Sequence, residues 1–492
     1  MLTSEQQNVQ QNTQQNAQQQ NSPLMVEGKA ITSVHFIGIG GVGMSGIARV
    51  AHDQGLQVSG SDLRQSKYTD QLVQAGITVT IGHSEKNVAH HPDIVVVSTA
   101  ILDNNPEYIA AREAGITIWH RAKMLSFLGR NLKTLAVAGT HGKTTTSSML
   151  ASVLDDLGTD PTFLIGGIVR SYGTNAHSGK GPYYVVEADE SDKSFTYLNP
   201  AAVLITNVEA DHLDHYKDLS EIRGKFQEFI SSVPESGVAV VCGDDQALVV
   251  LARAVCAHVV TYGFSEACDA RIVAYTPCGV GSSYALTLPN GTTVNGSILQ
   301  NPGRHNVQNA AGVLTLLDAL GFDASAAAES LAQFKGVHRR FDLVGKAAGV
   351  TVVDDYAHHP TEIAATIKAA RELDFKRVVV LFQPHRYSRV KLFTQVLREQ
   401  FECAFDPCDQ LVFMDVYSAG EAPVPGVNGK TFLNVVLEHE GHPAAQYIPR
   451  RVEVPARLAA LTQPGDLVIT MGAGDVTAMG PQLLEELRAK EA

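Results

Sequence analysis

The run Ala138-Gly139-Thr140-His141-Gly142-Lys143-Thr144-Thr145-Thr146 constrains this chain more than any other stretch. It follows an apolar segment, residues 134–137, and leads into a helix-compatible segment ending near Gly158, so the local prediction is strand, glycine turn, helix. Such a turn aims backbone N–H groups and the positive end of a helix at a polyphosphate, and its Lys adds a full charge. The spacing departs from G-x-x-x-x-G-K-[ST], because Val137 stands five residues before Gly142 and the first loop glycine is Gly139. The reading is an ATP or GTP site in which Gly139, Thr140, His141, Gly142, Lys143 and Thr145 surround the phosphates. The Thr144 hydroxyl is placed to ligate Mg²⁺.

A second glycine turn, Gly38-Ile39-Gly40-Gly41-Val42-Gly43, lies between a short apolar strand at 33–37 and a helix-like stretch at 44–52. The next strand, 57–60, runs into Ser61-Asp62, near where a dinucleotide fold carries its ribose-binding acid. Gly38, Gly40, Gly41, Gly43, Ser61 and Asp62 are therefore candidate nucleotide contacts. Further strand-like runs at 77–81, 94–97 and 116–119 complete a Rossmann-type sheet.

A chain of 492 residues is too long for one core. Strand–helix alternation resumes after the phosphate loop (strands near 183–186, 202–206, 238–241 and 259–262), changes to a hairpin pattern around Asn290-Gly291, and resumes again from Val350. The predicted fold is α/β, with three consecutive domains of mostly parallel sheet at 24–129, 130–337 and 338–492. Residues 1–23, rich in Gln and Asn, read as a disordered tail.

With 51 acidic against 38 basic residues, a net charge of −13 and no dense Lys/Arg block, the chain is a poor match for nucleic acid. No leader pattern and no run of eighteen apolar residues occurs, so the expectation is a cytoplasmic enzyme without membrane insertion. The six cysteines form no C-x-x-C pair, which reads as reduced thiols serving as small buried hydrophobes.

Polar clusters fall at the ends of predicted strands, where open parallel sheets bind ligands. Glu187-Ala188-Asp189-Glu190-Ser191-Asp192 suits the magnesium carboxylates of a nucleotide site, and Glu187 is the first acid out of its strand. Thr206-Asn207 through Asp211-His212 suggests a second metal-binding edge; imidazole fits Mn²⁺ better than Mg²⁺. In the last domain, Arg386 and Arg389 could hold a carboxylate or phosphate in bidentate fashion, and Tyr356 with His358 could orient a small polar substrate. The triplet His338-Arg339-Arg340 at a domain junction reads as either a binding element or a hinge.

Taken in order, these motifs, with Gly303-Arg304-His305-Asn306, Asn309 and Asp355-Tyr356-Ala357-His358-His359-Pro360, resemble the Mur ligase family over about residues 31–475. The resemblance implies a UDP-sugar on the first domain, ATP and magnesium on the second and an incoming amino acid on the third. The motifs lie nearest the members that join L-alanine to the lactyl carboxylate of UDP-N-acetylmuramate through an acyl phosphate. By the same carry-over, Lys143 contacts the β- and γ-phosphates, Thr144 and Glu187 hold the nucleotide's magnesium, and His212 with Glu187 holds a second ion. His305 and Asn309 frame the adenine, Arg340 reaches the phosphates, and Tyr356, His358, Arg386 and Arg389 receive L-alanine. The glycines at 38–43 then face a UDP diphosphate instead of NAD.

Sister ligases carry a carbamylated Lys some four helical turns beyond the metal His, but the stretch Arg223-Gly224-Lys225-Phe226-Gln227 leaves none in register. An NAD-dependent oxidoreductase would explain the first glycine turn but not the phosphate loop, and a nucleotide sensor would not need acceptor residues in a third domain. The nearest rival is a ligase that attaches a preformed tripeptide to the same UDP-sugar.

Overall fold

The computed structural model describes residues 24–26, 28–213, 215–390 and 392–491; the Gln/Asn-rich tail lies outside them. The described chain forms two compact units. One takes in residues up to Arg271 with Leu288–Gly291 and Ala311–Ser330, and the other Ile272–Thr287, Thr292–Ala310 and Leu331 onward.

Two sheets share the first unit. Its N-terminal sheet has five parallel strands in the order Thr78–Ile81, Gln57–Asp62, Ser33–Ile37, Ile94–Val97, Thr117–His120. The central strand is buried at Val34, Phe36 and Ile37 because helices cover both faces of such a sheet, and its near-continuous apolar sequence reflects this. The second sheet has the phosphate-loop strand Lys133–Ala138 at its centre, paired in parallel with Tyr183–Glu187 and Ala202–Ile205; Val238–Cys242 and Val259–Gly263 extend it.

On the far side of Tyr183–Glu187 the sheet adds Thr162–Val169 and, antiparallel to it, Thr174–His177. The helix Val42–Asp53 rests on this pair: the Asn175 amide donates to Val42 O at 3.1 Å, and a Cβ at Gly46 would stand 3.0 Å from Leu164. A side chain there would have to push Leu164, Ala176 and Asn175 back by a few tenths of an ångström.

The second unit holds a six-stranded sheet in the order Asp342–Ala347, Val350–Asp355, Asp466–Met471, Arg377–Phe382, Gln410–Phe413, Ala444–Tyr447. Only the first of these strands is antiparallel to its neighbour. Val352, Val379, Leu381, Val412 and Val468 pack one face of this sheet against Leu458, Met479 and Leu483. The hairpin expected around Asn290-Gly291 is present as Gly281–Thr287 against Thr293–Ile298.

Of the six cysteines, Cys242, Cys256, Cys268 and Cys408 are buried, whereas Cys278 and Cys403 are exposed, which corrects the uniform reading as buried hydrophobes. Among the described residues no helix is long and apolar enough to cross a membrane.

Candidate active site

The strand Lys133–Ala138 ends in the phosphate loop, and the helix Lys143–Asp156 begins at Gly142, whose φ of +83° is left-handed. At Gly139 (φ +138°) a Cβ would sit 2.0 Å from Thr206 Oγ1, so the turn needs glycine for space as well as for conformation. Asn207 fastens the loop: its carbonyl accepts from Thr140 N and its side-chain oxygen from His141 N at 2.8 Å. The segment 206–209 therefore braces the loop, a role its position at the neighbouring strand end makes possible.

Lys143 Nζ donates to Gly139 O (2.6 Å), Thr140 O (3.1 Å) and Glu190 Oε1 (2.8 Å). Burial opposes its charge, but Glu190 and Asp189 hold the ammonium above the ordinary lysine range. Thr144 Oγ1 donates to Glu187 Oε1 at 3.0 Å, and Glu187 Oε2 accepts from Gly166 N at 2.7 Å. His212, in the left-handed region at φ +52°, places Nε2 3.7 Å from Glu190 Oε1 and 3.6 Å from Asp211 Oδ2. His212 thus lies beside the carboxylates of Asp211 and Glu190, on the same acidic edge as Glu187.

A divalent cation suits this donor set. Thr144 and Glu187 offer neighbouring oxygens, and Glu190 Oε2 is buried with no hydrogen-bond partner among the described residues. Oxygen donors at a strand end fit Mg²⁺, while the His212 nitrogen extends the choice toward Mn²⁺. Lys225 is occupied elsewhere, donating to Glu228 at 2.6 Å on the helix Leu219–Ser231.

In the first glycine turn, Gly38 N and Ile39 N donate to Ser61 O, and Gly40 N donates to Asp62 Oδ2 at 2.9 Å. Asp62 therefore shapes the loop itself. Ser61, expected on the ligand, is fully buried and turns its hydroxyl inward to Glu107 Oε2 at 2.7 Å. Glu107 was missed by the sequence reading: a lone acid after Pro106 carries no motif. It is fully buried and also accepts from His35, His83 and Asn87.

Gly41 caps the helix Val42–Asp53 without a side-chain bond, and Arg121 Nη1 would lie 3.7 Å from a Cβ at Gly43. Arg121 was also missed. It donates to Asp189 Oδ2 (3.0 Å) and Asp192 Oδ2 (3.2 Å), joining the glycine-turn helix to the acidic cluster.

In the second unit, Tyr356 lies under two guanidiniums, 4.8 Å from Arg339 and 5.3 Å from Arg340. Arg339 donates to Asp354, Gly472 O and Gly474 O, so it clamps strand ends within the second unit. Arg340 approaches Glu362 Oε1 at 3.8 Å, and His358 Nδ1 approaches Glu362 Oε2 at 3.3 Å. Tyr356 and His358 meet edge to face at 5.5 Å.

His385, another residue the sequence reading left out, stacks on Tyr417 at 5.7 Å. Burial, with Arg389 and Arg386 nearby, pushes its imidazole down to about 4. Arg386 adopts φ +68° and donates its N–H to Tyr417 O at 2.8 Å. The asparagine and histidine expected on adenine are also placed here: Asn309 is buried with its amide toward Asn306 at 3.4 Å, and the His305 ring packs on Gly303. Burial and Arg340 bring His305 down to about 4.

The sequence matches the Mur ligase family, catalytic domain, over residues 33–132, the Mur ligase middle domain over 137–317, and the Mur ligase, glutamate ligase domain over 339–474. This chain belongs to the Mur ligase family. It is 43% identical over 467 residues to the UDP-N-acetylmuramate–L-alanine ligase of Bradyrhizobium sp. (strain ORS 278), covering 94% of this chain and 99% of that protein. The enzyme of the same name from Thermobifida fusca (strain YX) is 45% identical over 474 residues, covering 94% of this chain and 98% of that one. The crystal structure of the UDP-N-acetylmuramate-alanine ligase from Thermotoga maritima superimposes with a TM-score of 0.77 at 30% identity, over 93% of this chain and 99% of that chain.

Proposed function

We propose that this Mur ligase joins L-alanine to the lactyl carboxylate of UDP-N-acetylmuramate at the expense of ATP, the first step of the peptidoglycan stem peptide. The observation that carries the reading is the convergence of Lys143, Thr144, Glu187, Glu190 and His212 on one phosphate loop. The choice of L-alanine rests on the names of the relatives.

A carboxylate resists attack because its oxygens repel an amine, so the γ-phosphoryl group is transferred to it first, giving an acyl phosphate and ADP. Lys143 offsets charge on the transferring group, its ammonium already formed and held in the loop. A divalent ion held by Thr144, Glu187 and Glu190, with His212 beside them, supplies further positive charge when bound. Arg340, His305 and Asn309 keep the nucleotide roles that family membership suggests.

In the second unit, Arg386 and Arg389 hold the α-carboxylate of the amino acid, with Tyr356 and His358 closing a small pocket. A neutral His385 leaves the positive charge of that corner to the two arginines. The uncharged amine attacks the acyl carbon, and phosphate departs as the amide forms.

The test is phosphate release from ATP in the presence of UDP-N-acetylmuramate. L-Alanine is expected to stimulate it strongly, with glycine and L-serine weaker. Preference for L-alanyl-γ-D-glutamyl-diaminopimelate would make this a tripeptide ligase instead.

A further inference from the structure

Cys403 and His439 are 36 residues apart, too far to register as a metal motif, yet the second unit brings them together. Cys403 ends the helix Arg398–Cys403, and His439 lies two residues beyond the helix Gly429–Leu437. Cys403 Sγ stands 3.7 Å from His439 Nε2 and 4.0 Å from Nδ1. Glu402 completes a trio whose donor atoms all fall within 4.8 Å of one another. Asp406 Oδ2 lies 3.1 Å from His439 Nε2. A carboxylate that fixes one imidazole nitrogen leaves the other directed at a metal, the usual support for a ligating histidine.

We propose that Glu402, Cys403 and His439 form a binding site for a borderline-soft divalent cation of the Zn²⁺ type, with Asp406 orienting the imidazole and water filling the fourth position. In a tetrahedral zinc site, sulfur at about 2.3 Å and nitrogen at about 2.0 Å from the ion lie roughly 3.6 Å apart, so Nδ1, the nitrogen Asp406 leaves open at 4.0 Å from Cys403 Sγ, needs to close by only a few tenths of an ångström on loading. Thiolate and imidazole select such an ion over Mg²⁺, which the oxygen-rich phosphate loop favours.

Because the thiolate is the ligand, loading displaces the Cys403 proton. Arg398, 3.7 Å from Glu402, is the internal competitor for that carboxylate.

The site is separate from the amino-acid residues. Both helices lead back to the starts of the parallel strands Gln410–Phe413 and Ala444–Tyr447, whereas Arg386 and Arg389 follow the end of Arg377–Phe382. Cation binding there ties two helix ends together and stabilises the fold by mass action, with no part in the chemistry.

The experiment uses the full chain, stripped of metal and kept in excess Mg²⁺. Zn²⁺ is titrated against a chromophoric chelator, and Co²⁺ is added as a spectroscopic probe. One Zn²⁺ per chain is expected to bind with a rise in Tm, and Co²⁺ to give thiolate charge-transfer absorption in the near ultraviolet. Cys403→Ser should abolish the absorption, His439→Ala should weaken Zn²⁺ by more than tenfold, and the Mg²⁺-supported kcat should stay unchanged in both. Absence of thiolate absorption overturns the site, as does absorption that survives Cys403→Ser, which would move the ligand to the other exposed thiol, Cys278. Zn²⁺ affinity indifferent to His439→Ala overturns it as well.

Discussion

Single residues in this chain do two jobs that look alike in a sequence and differ in their surroundings. Lys143 is a charge waiting in a loop. Lys143→Ala removes that charge at the transferring phosphoryl group, so turnover should fall by orders of magnitude while UDP-N-acetylmuramate still binds, measured by phosphate release and by calorimetry. Retention of turnover would contradict the assignment. Glu107 is a structural charge. Burial alone would raise its carboxyl, but hydrogen bonds from His35, Ser61, Asn87 and His83 override it and bring it from 4.5 down to about 2. A folded value below the unfolded one means that the unfolded chain binds the extra proton. The stability it gives is therefore complete above pH 4.5 and is lost as pH falls toward 2. The loss is on the order of 3 kcal/mol. Glu107→Gln should lower the urea midpoint at neutral pH and flatten its decline through that window; parallel pH profiles for the two proteins would argue against it.

At the scale of elements, most of the fold was legible because buried parallel strands write themselves as apolar runs ending in polar clusters. Residues 33–37 and 94–97 are strands in both readings. The pair Thr162–Val169 and Thr174–His177 was not legible. Gly166 and Gly167 interrupt its apolar run, and the second strand, Thr-Asn-Ala-His, has no hydrophobic period. That interruption has a purpose visible only in three dimensions: a Cβ at Gly166 would stand 2.8 Å from Glu187 Oε1. Gly166→Ala should leave circular dichroism unchanged, raise the Mg²⁺ concentration for half-maximal rate and lower kcat by at least about tenfold. An unaltered metal titration would show that Glu187 does not hold the ion. The loop after Arg377–Phe382 was readable as a pair of arginines, but not its backbone strain at Arg386 or the neutral His385 stacked on Tyr417. Arg386→Ala or Arg389→Ala should raise the L-alanine KM by at least about tenfold and leave the ATP KM nearly unmoved, since a charge-assisted hydrogen bond is worth about 1.5–3 kcal/mol. An effect confined to ATP would reassign these residues.

For the whole molecule, the placement of two nucleotide modules in one compact unit matters more than any single contact. The seam between them is ionic: Arg121, beside the glycine-turn helix, holds Asp189 and Asp192 next to the acid that grips Lys143. If the diphosphate of the proposed substrate binds at the glycine turn beside Arg121, it competes with those carboxylates, and the two sites are then linked in free energy. Linkage is reciprocal: whatever factor UDP-N-acetylmuramate applies to ATP affinity, ATP must apply to UDP-N-acetylmuramate. Arg121→Ala should bring that factor close to one when each ligand is titrated with and without the other, and an unchanged factor would place the coupling elsewhere. With such a factor, occupancy of one site would set the affinity of the other through a seam of four charged side chains and the lysine they surround.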